Sequence, residues 1–557
     1  MTTKKLLTLK EASDLLGLKP VTLRKWDREG KLLAIRIGTR KDRRYRQGDL
    51  RVFLNTSQQT QKPKWQEYIR SNVSYHIVDH CLFGISKGLE ELIGFGITNH
   101  LTYFVNTTLY WHYDQSELFK VGKRLVAYFS RQKKLTDFLR GWEKHQKNLM
   151  DFLHGQRQEL MFSYSVKQHL RTYTSFNELV KTWNAYSMVI DALDEALMVD
   201  IAKHIKLHLK KFLPEAELSK AFASCYTILT APEIESPINT EKRDIAAIAL
   251  KLRNHKLVRN SKTFDLEVQK ILNKYWWIYA GWGRVDMKNI EKQIVDTLDK
   301  QLKSPQKIVK GLSQKNYGLS LRKLNRLYNF KANRNLQHLL KLYQIFAVYH
   351  DKRKEMQMRY SQWEYGYFDI LAKIFKTPVK LLEWSDSQEI ISLLKTKRLA
   401  VSESELNRRS GNFFLLLRDG KLGPKLSGKK ARKAYAENYT QVLDDIADIQ
   451  GISASTGKVS GTAYVAISAQ KALQIPAGQI LVTGMTTPDF IPAMKKAKAI
   501  VTDEGGMTCH AAIVSRELNI PCIVGTKYAT KVIATGDNIE VAANHGVVRM
   551  LEKSSKR

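Results

Sequence analysis

A histidine that follows two glycines and a threonine is the part of this 557-residue sequence best suited to chemistry. The stretch DEGGMTCHAAIVSRELNIPCIVG runs from Asp503 to Gly525, and its apolar spacing predicts a helix that begins near His510. An imidazole with the ordinary pKa of about 6.5 is largely neutral at pH 7, so it can accept a phosphoryl group as a nucleophile. The N–H groups and positive dipole at a helix start favour such an anion.

The residues around this histidine fit the same chemistry. Gly505 and Gly506 lack a Cβ, so their backbone could approach a phosphoryl group closely. The Thr508 hydroxyl could donate a hydrogen bond to the phosphoryl oxygens. Arg516 and Glu517 lie two turns further on, and we expect them to orient the helix or to dock a partner. The alternative is a purely structural histidine, whose loss would cost stability and change no phosphorylation.

The elements that must position these residues lie in residues 451–557. Short β-branched runs alternate there with turn residues, which is typical of a compact α/β domain. Strands are predicted at GKVSGTAYVAI, GQILVTG, KAIVTDEGG, PCIVGT and DNIEVAANHGVVRML, with helices at TPDFIPAMKKA and HAAIVSRELN.

The opening GISASTGKVSGTAYV and the string MTCHAAIVSRELNIPCIVGT give this segment a family resemblance. It resembles the mobile phosphohistidine domain of phosphoenolpyruvate-utilising enzymes, which include phosphoenolpyruvate synthase, pyruvate phosphate dikinase and rifampicin phosphotransferase. The resemblance covers about 100 of the 557 residues. It implies a swivelling α/β domain in which His510 carries phosphate between two active sites.

The rest of the chain departs from those enzymes. No upstream segment has the glycine-rich, carboxylate-paired pattern of an ATP-grasp domain, and the sequence stops at Arg557 without a phosphoenolpyruvate-binding barrel. We therefore expect His510 to be charged in trans by a separate ATP-grasp or phosphoenolpyruvate-binding partner. The donor would be ATP or phosphoenolpyruvate, handled with Mg²⁺ by that partner, and we expect no cofactor or metal site in this chain.

The net charge of the chain is +37, and per residue the most basic part is residues 1–62. This segment holds 16 Lys and Arg against 6 Asp and Glu. Thr8 and Glu11 form a capping box before a short apolar helix. Gly17 ends that helix, Pro20 begins a second one, and a basic hairpin follows around residues 38–39. This order predicts a helix-turn-helix with a wing, and its charge favours duplex DNA as the partner.

The strings TLRKWDREGKL and RRYRQGDL resemble the winged helix-turn-helix of MerR-type regulators and excisionases. The family usually has serine or threonine where Lys19 stands. The alternative is a basic helical hairpin that binds nothing. By the resemblance, the residues facing the major groove would be Thr22, Arg24, Lys25 and Arg28, and those on phosphates or in the minor groove Arg43, Arg44 and Arg46.

Residues 63–450 are predicted to form a mostly α-helical domain of unknown role, with long helices at residues 193–213 and 336–375. NFFLLLRDGKLG predicts a hairpin that turns at residues 419–420. GPKLSGKK lacks the hydroxyl residue of a P-loop, because Lys430 occupies that position. His76 and His80 have the spacing of metal ligands, but a helix-surface pair is the interpretation preferred. YWWIYAGWGR, over residues 275–284, indicates core packing rather than a stacking platform.

The composition bounds the function. An apolar fraction of 43% excludes wholesale disorder, and four scattered cysteines without a CxxC pair favour a reducing compartment. No apolar run reaches the length of a membrane span, so we expect a cytoplasmic protein without membrane contacts. Two functions stay open: the carrier component of a phosphoenolpyruvate synthase-like phosphotransferase, or a transcription regulator whose carrier domain senses phosphorylation or only docks. The acceptor, the DNA target and the oligomeric state are not determined by the sequence.

Overall fold

The computed structural model describes residues 6–16, 27, 35–37, 42–46, 63, 65–230, 234–306, 317–439, 448–487, 490–506 and 509–554. The chain divides into two compact units, residues 1–64 and residues 65–557. No helix among the described residues is both long and apolar enough to cross a membrane.

The first unit contains a small antiparallel sheet and a helix. The helix is Leu9–Leu16, and the sheet has the order β1-β3-β2 with strands β1 Leu6–Thr8, β2 Ile35–Ile37 and β3 Asp42–Arg46. The capping box is confirmed, since the Thr8 N–H donates to the Glu11 carboxylate at 2.7 Å and the Glu11 N–H to the Thr8 hydroxyl at 3.1 Å. The hairpin of β2 and β3 is confirmed too, whereas strand β1 is an addition that the sequence pattern did not indicate.

The second unit begins with a mostly helical region, residues 65–439, as predicted. Its longest helix has 41 residues, Arg334–Ile374, and it contains most of the predicted helix at residues 336–375. The other helices are Tyr75–Phe83, Leu89–Ile93, Gln115–Phe129, Gln132–Gly155, Gln158–Met161, Val166–Ser187, Val189–Leu209, Glu215–Leu229, Pro237–Arg253, Lys262–Tyr279, Met287–Gln301, Tyr317–Tyr328, Val379–Glu383, Ser387–Thr396, Glu403–Arg409 and Gly428–Asn438, with a π-helical segment at Gly84–Gly88.

Three of these helices, Pro237–Arg253, Lys262–Tyr279 and Met287–Gln301, form most of a second apolar core, to which Met358 of the helix Arg334–Ile374 also contributes. Tyr275 and Trp277 are buried in it, which confirms that the aromatic run packs in a core.

The helical region also holds an antiparallel sheet of six strands. Its strands are β4 Trp65–Arg70, β5 His100–Val105, β6 Thr108–Asp114, β7 Asn412–Arg418, β8 Lys421–Leu422 and β9 Leu426–Ser427. The order is β4-β6-β5-β7-β8, with β9 also on β7. The predicted hairpin is confirmed by the β7–β8 pairing, and its turn residues Asp419 and Gly420 have φ of 49° and 74°. The P-loop-like string forms β9 and the start of the helix Gly428–Asn438.

The expectation that His76 and His80 lie on a helix surface is wrong. Both side chains are 1% exposed, and Nε2 of His80 lies 3.1 Å from the carboxylate of Glu364. The Tyr173 hydroxyl donates to the same carboxylate at 2.8 Å. The helix Tyr75–Phe83 is buried along most of its length, so the spacing of its two histidines reflects a buried hydrogen-bond network rather than a solvent-exposed face.

The C-terminal region, residues 448–554, is an α/β domain, as predicted. Its strands are β10 Asp448–Gln450, β11 Ile452–Ser455, β12 Lys458–Val465, β13 Ile480–Thr483, β14 Ala499–Thr502, β15 Cys522–Val524, β16 Asn538–Ala542 and β17 Val547–Glu552. Short helices lie at Ala469–Ala472, Ile491–Met494, His510–Leu518 and Ala529–Val532, with a 3₁₀ turn at Ala543–His545.

The order of this sheet is β10-β17-β16-β12-β13-β14-β15-β11. Strands β12 to β15 pair in parallel, and every residue of β13 and β14 is buried, as expected for central parallel strands. The carboxyl ends of β13 and β14 lie side by side. Loops that leave adjacent parallel strands at this edge are where α/β sheets hold their ligands.

Candidate functional site

His510 is the first residue of the helix His510–Leu518, as the sequence predicts. Cys509 precedes it as the N-cap residue, with extended backbone. The N–H groups of the first helical turn have no acceptor within the helix, so they present partial positive charge at this end. The side chain of His510 is half-buried.

Thr486 fixes the orientation of the imidazole ring. Its Oγ1 lies 2.8 Å from Nδ1 of His510, and its side chain is 4% exposed. Thr486 follows β13 and His510 follows β14, so two adjacent strands of the parallel sheet bring the pair together. When Nδ1–H donates to the hydroxyl, the lone pair on Nε2 is the one able to attack phosphorus.

Sequence reasoning missed Thr486. One signal was available, because Thr486 stands two residues after the end of the predicted strand GQILVTG, where ligand-binding loops of α/β sheets begin.

Burial and charge keep the His510 imidazole neutral. Burial lowers the pKa of His510, and the positive charges of Lys354 and Lys242 lower it further, to about 4. A histidine with this pKa is deprotonated throughout the physiological range, which is the state a phosphoryl acceptor needs.

Gly505 and Gly506, in the loop before His510, lie close to other protein atoms. Gly505 has φ of 103°, and a Cβ there would lie 2.7 Å from Sγ of Cys509. A Cβ on Gly506 would lie 3.3 Å from Sδ of Met198 in the helical region. Gly505 is therefore required by the left-handed backbone and the contact with Cys509. An approach of either glycine to a phosphoryl group stays a prediction.

The two acidic residues before the glycines anchor the loop in different ways. The Asp503 carboxylate accepts hydrogen bonds from the Thr526 hydroxyl and the Thr530 N–H, both at 3.1 Å, within the C-terminal region. Burial raises the pKa of Asp503 to about 6. Glu504 instead reaches the helical region, where Arg70 Nη1 donates to its carboxylate at 2.8 Å.

The other residues proposed for this site contribute less, or lie outside the description. Arg516 is half-buried, and its charge acts on the thiols of Cys509 and Cys522. This position is consistent with orienting the helix, which stays a prediction. Thr508 lies outside the described residues, and so does the side chain of Glu517.

The DNA-binding residues are described only in part. Nε of Arg43 donates to the Asp27 carboxylate at 2.6 Å, and Arg44 donates to the carbonyl of Arg43 at 3.2 Å. Arg43 therefore has an acidic partner within its own unit. The backbone of Arg46 lies in β3 opposite Leu6, with its side chain outside the description. Four of the predicted residues lie wholly outside it, namely Thr22, Arg24, Lys25 and Arg28.

Within the described part of the chain, no group of three or more His, Cys, Asp or Glu side chains is placed to hold a metal ion.

Comparison with protein families assigns both ends of the chain. Residues 475–546, which include His510 and Thr486, match a family model. The match is to the mobile domain of PEP-utilising enzymes. Residues 6–58 match the family described as a helix-turn-helix domain. The resemblance of the C-terminal segment to the mobile domain of PEP-utilising enzymes is therefore confirmed. The helix-turn-helix is confirmed too, whereas the MerR-type character of that unit stays a prediction.

Several curated proteins named phosphoenolpyruvate synthase match the segment that holds His510. The probable phosphoenolpyruvate synthase of Archaeoglobus fulgidus is 49% identical over 120 residues, which cover 22% of this chain and 16% of that protein. The phosphoenolpyruvate synthase of Pyrococcus furiosus is 50% identical over 116 residues, covering 21% and 14%. A probable phosphoenolpyruvate synthase of Methanothermobacter thermautotrophicus is 51% identical over 113 residues, covering 20% and 16%. The matched segment thus spans about a seventh of these relatives.

Proposed function

We propose that this protein is the phosphoryl-carrier component of a phosphoenolpyruvate synthase-like phosphotransferase, with the phosphoryl group carried on His510. The observation that carries the proposal is an imidazole at a helix start, held through Nδ1 by Thr486 at 2.8 Å. A phosphoryl carrier needs a nucleophile that is unprotonated and oriented before the donor arrives. The match to the mobile domain of PEP-utilising enzymes supports the same role.

In the charging step, the lone pair on Nε2 attacks the phosphorus of the donor, and the bond from phosphorus to the donor's leaving oxygen breaks. The imidazole then loses its Nδ1 proton to solvent, because neutral N-phosphoimidazole has no hydrogen on the second nitrogen. A threonine hydroxyl both accepts and donates hydrogen bonds. Thr486 can therefore keep its contact with Nδ1 before and after transfer, which makes it a positioning residue.

The donor chemistry belongs to a partner in this proposal. ATP or phosphoenolpyruvate would be bound with Mg²⁺ by a separate ATP-grasp or phosphoenolpyruvate-binding protein, which charges His510 in trans. The helix-turn-helix match adds a DNA-binding unit to the carrier, so duplex DNA would be the second partner. The domains of this proposal are residues 1–62 for DNA, 63–450 for the helical domain and 451–557 for the carrier.

A regulator is the second candidate function, and the helix-turn-helix match favours it. In that case the carrier domain is a phosphorylation sensor or a docking module. Incubating the purified chain with radiolabelled ATP or phosphoenolpyruvate, alone and with cell lysate, separates the candidates. Label that passes through His510 to a small acceptor supports the phosphotransferase. Label that stays on His510 and changes DNA affinity supports the sensor, and DNA binding without any label supports the docking module.

A further inference from the structure

An open cavity lies at one end of the three helices that form most of the second apolar core. Its volume is about 630 Å³. It is lined by the end of the helix Pro237–Arg253, by the loop that follows, and by residues 302–303 just after the helix Met287–Gln301. The described residues that line it are half basic and half apolar. We call it the basic cavity.

The basic half of the lining keeps charge that is free for a ligand. Its members are Arg253, His255, Arg259 and Lys303. Nη2 of Arg259 donates to the Asp299 carboxylate at 3.0 Å, so this charge is paired. Nη1 of Arg253 instead donates to the neutral amide of Gln306 at 3.1 Å. Among the described residues, the side chains of His255 and Lys303 have no hydrogen-bond or ion-pair partner.

The sequence around the cavity adds to this positive charge. Residues 251–262 hold five Lys and Arg and no Asp or Glu. Of the five, Lys251 pairs with Glu267 at 3.3 Å and lies outside the lining. A surface of this kind attracts phosphate groups, and phosphates in a row attract it most, because each neutralised phosphate releases a counterion.

The apolar half of the lining is the edge of the second apolar core. Leu257 is buried in that core, and Leu252 and Leu302 pack against it. Val258 is different, because 70% of it is exposed beside the basic side chains. A flat apolar group joined to phosphates would contact both halves of the lining. Nucleotide bases have this character, but in a duplex their faces are stacked and only an unpaired strand offers them.

We propose that the basic cavity binds single-stranded nucleic acid, with Arg253 and Lys303 on phosphates and a base against Val258 and the leucines. The ligand class is a phosphodiester strand with unpaired bases. A guanidinium plane such as that of Arg253 also stacks on bases. This site is separate from phosphate carriage by His510 and from duplex binding by residues 1–62, and it gives the helical region a binding role of its own.

Fluorescence anisotropy of a labelled strand of about 15 thymidines, longer than most single sites, tests the proposal. The full-length chain carries Arg24→Ala and Arg28→Ala, which weaken the amino-terminal unit. In this background Arg253→Gln and Lys303→Gln should each raise the Kd roughly 3- to 10-fold, as expected for the loss of one hydrogen-bonded contact. Each should also reduce the slope of log K against log salt by about 0.7, the value for one phosphate of a single strand.

The chain offers matched controls on the same helices. Lys251→Gln and Lys300→Gln remove the same charge at positions outside the lining, and they should leave the Kd and the salt slope of the background chain. Lys303→Arg keeps the charge and should keep the affinity, which separates loss of charge from misfolding. Val258→Ser should weaken binding of the thymidine strand but not of an abasic strand of equal length. Its exposure makes a change of fold unexpected.

Three outcomes would overturn the inference. Equal losses for the cavity variants and the lysine controls would mean that binding follows the general charge of the chain. Equal affinity for the thymidine and abasic strands would remove the base contact and the single-strand assignment with it. Binding to vesicles of phosphatidylserine and phosphatidylcholine that needs Arg253 and Lys303, without any effect of these residues on the strand, would assign the cavity to a lipid surface. None of these results bears on phosphorylation of His510.

Discussion

Oγ1 of Thr486 lies 2.8 Å from Nδ1 of His510, although the two residues are 24 positions apart and follow different strands. The contact orients the imidazole, and in the tautomer whose Nδ1–H donates to the hydroxyl the lone pair on Nε2 can attack phosphorus. This pair is the geometric centre of the proposed carrier site.

Thr486→Val should slow phosphorylation of His510 without abolishing it. Valine has nearly the shape of threonine and removes only the hydrogen bond, which contributes about 1 kcal/mol, so the rate should fall roughly 5- to 10-fold. The measurement is the rate of His510 labelling by phosphoramidate. Thr462→Val, at an exposed position of β12, is the matched control and should label at the wild-type rate. Equal rates for the two variants would contradict the positioning role.

The imidazole of His510 should titrate far below an ordinary histidine. Burial and then the charges of Lys354 and Lys242 lower its pKa to about 4. NMR of chain labelled with ¹³C at the histidine ring, with His510→Gln to assign the signal, should show a midpoint near that value. A midpoint near 6.5 would mean that the ring is not enclosed as the structure has it.

The same pKa predicts how stability depends on pH. The unfolded chain takes up a proton on His510 below about pH 6.5, whereas the folded chain does not until about pH 4. Between these values the unfolded state binds more protons, so folding should weaken as pH falls through this window. His510→Gln lacks this component, and its unfolding free energy should fall less between pH 7.5 and pH 5 in urea denaturation.

Gly505→Ala should destabilise the C-terminal region. The residue has φ of 103°, and the new Cβ would lie 2.7 Å from Sγ of Cys509. Strain and overlap together should lower the unfolding free energy by roughly 2 to 4 kcal/mol, measured by urea denaturation followed by circular dichroism. Gly478→Ala is the control, because Gly478 has φ of 80° but open space around it. It should cost about 1 kcal/mol, and an equal loss for both would show that the contact with Cys509 does not matter.

The amino-terminal unit should bind duplex DNA with a steep salt dependence. Several phosphate contacts imply a fall of orders of magnitude in affinity between about 50 and 200 mM salt. Arg24→Ala and Arg28→Ala should each weaken binding at a preferred site by roughly 1 to 3 kcal/mol in gel-shift titrations. Asp27→Ala should be measured in the same titrations, because it removes the ion-pair partner of Arg43. Binding that is absent, or insensitive to salt, would contradict the DNA-binding role.

Local sequence patterns predicted the strands and the helix around His510, but they did not predict the long-range contacts. The β-branched runs and the apolar spacing after His510 predicted β12 to β15 and the helix, since both signals lie within a few residues. The run DNIEVAANHGVVRML was predicted as one strand, whereas the structure divides it into β16 and β17 around a 3₁₀ turn. The contact of Thr486 with His510 was not predicted, because it depends on the pairing of β13 with β14. The ion pair of Arg70 with Glu504 joins residues 434 positions apart, and no local spacing encodes such a contact.

The helical region shows the same limit. Its long helices followed from periodicity, but the strand Trp65–Arg70 mixes polar and aromatic residues and has only one fully buried position. The strand is defined by its antiparallel pairing with Thr108–Asp114, and the residues of Trp65–Arg70 alone do not predict that pairing. His76 was misplaced for a related reason, because its carboxylate neighbour Glu364 belongs to a helix almost three hundred residues away.

The central claim is that His510 carries the phosphoryl group, and the most direct measurement is mass spectrometry at neutral pH after charging. The wild-type chain, given a competent donor, should gain one phosphoryl group on His510 that is labile in acid and stable in base, as a phosphoramidate is. His510→Ala should lose the label and keep a melting curve close to the wild type, because a half-buried residue at a helix start contributes little to the core. Label that persists in His510→Ala would contradict the account.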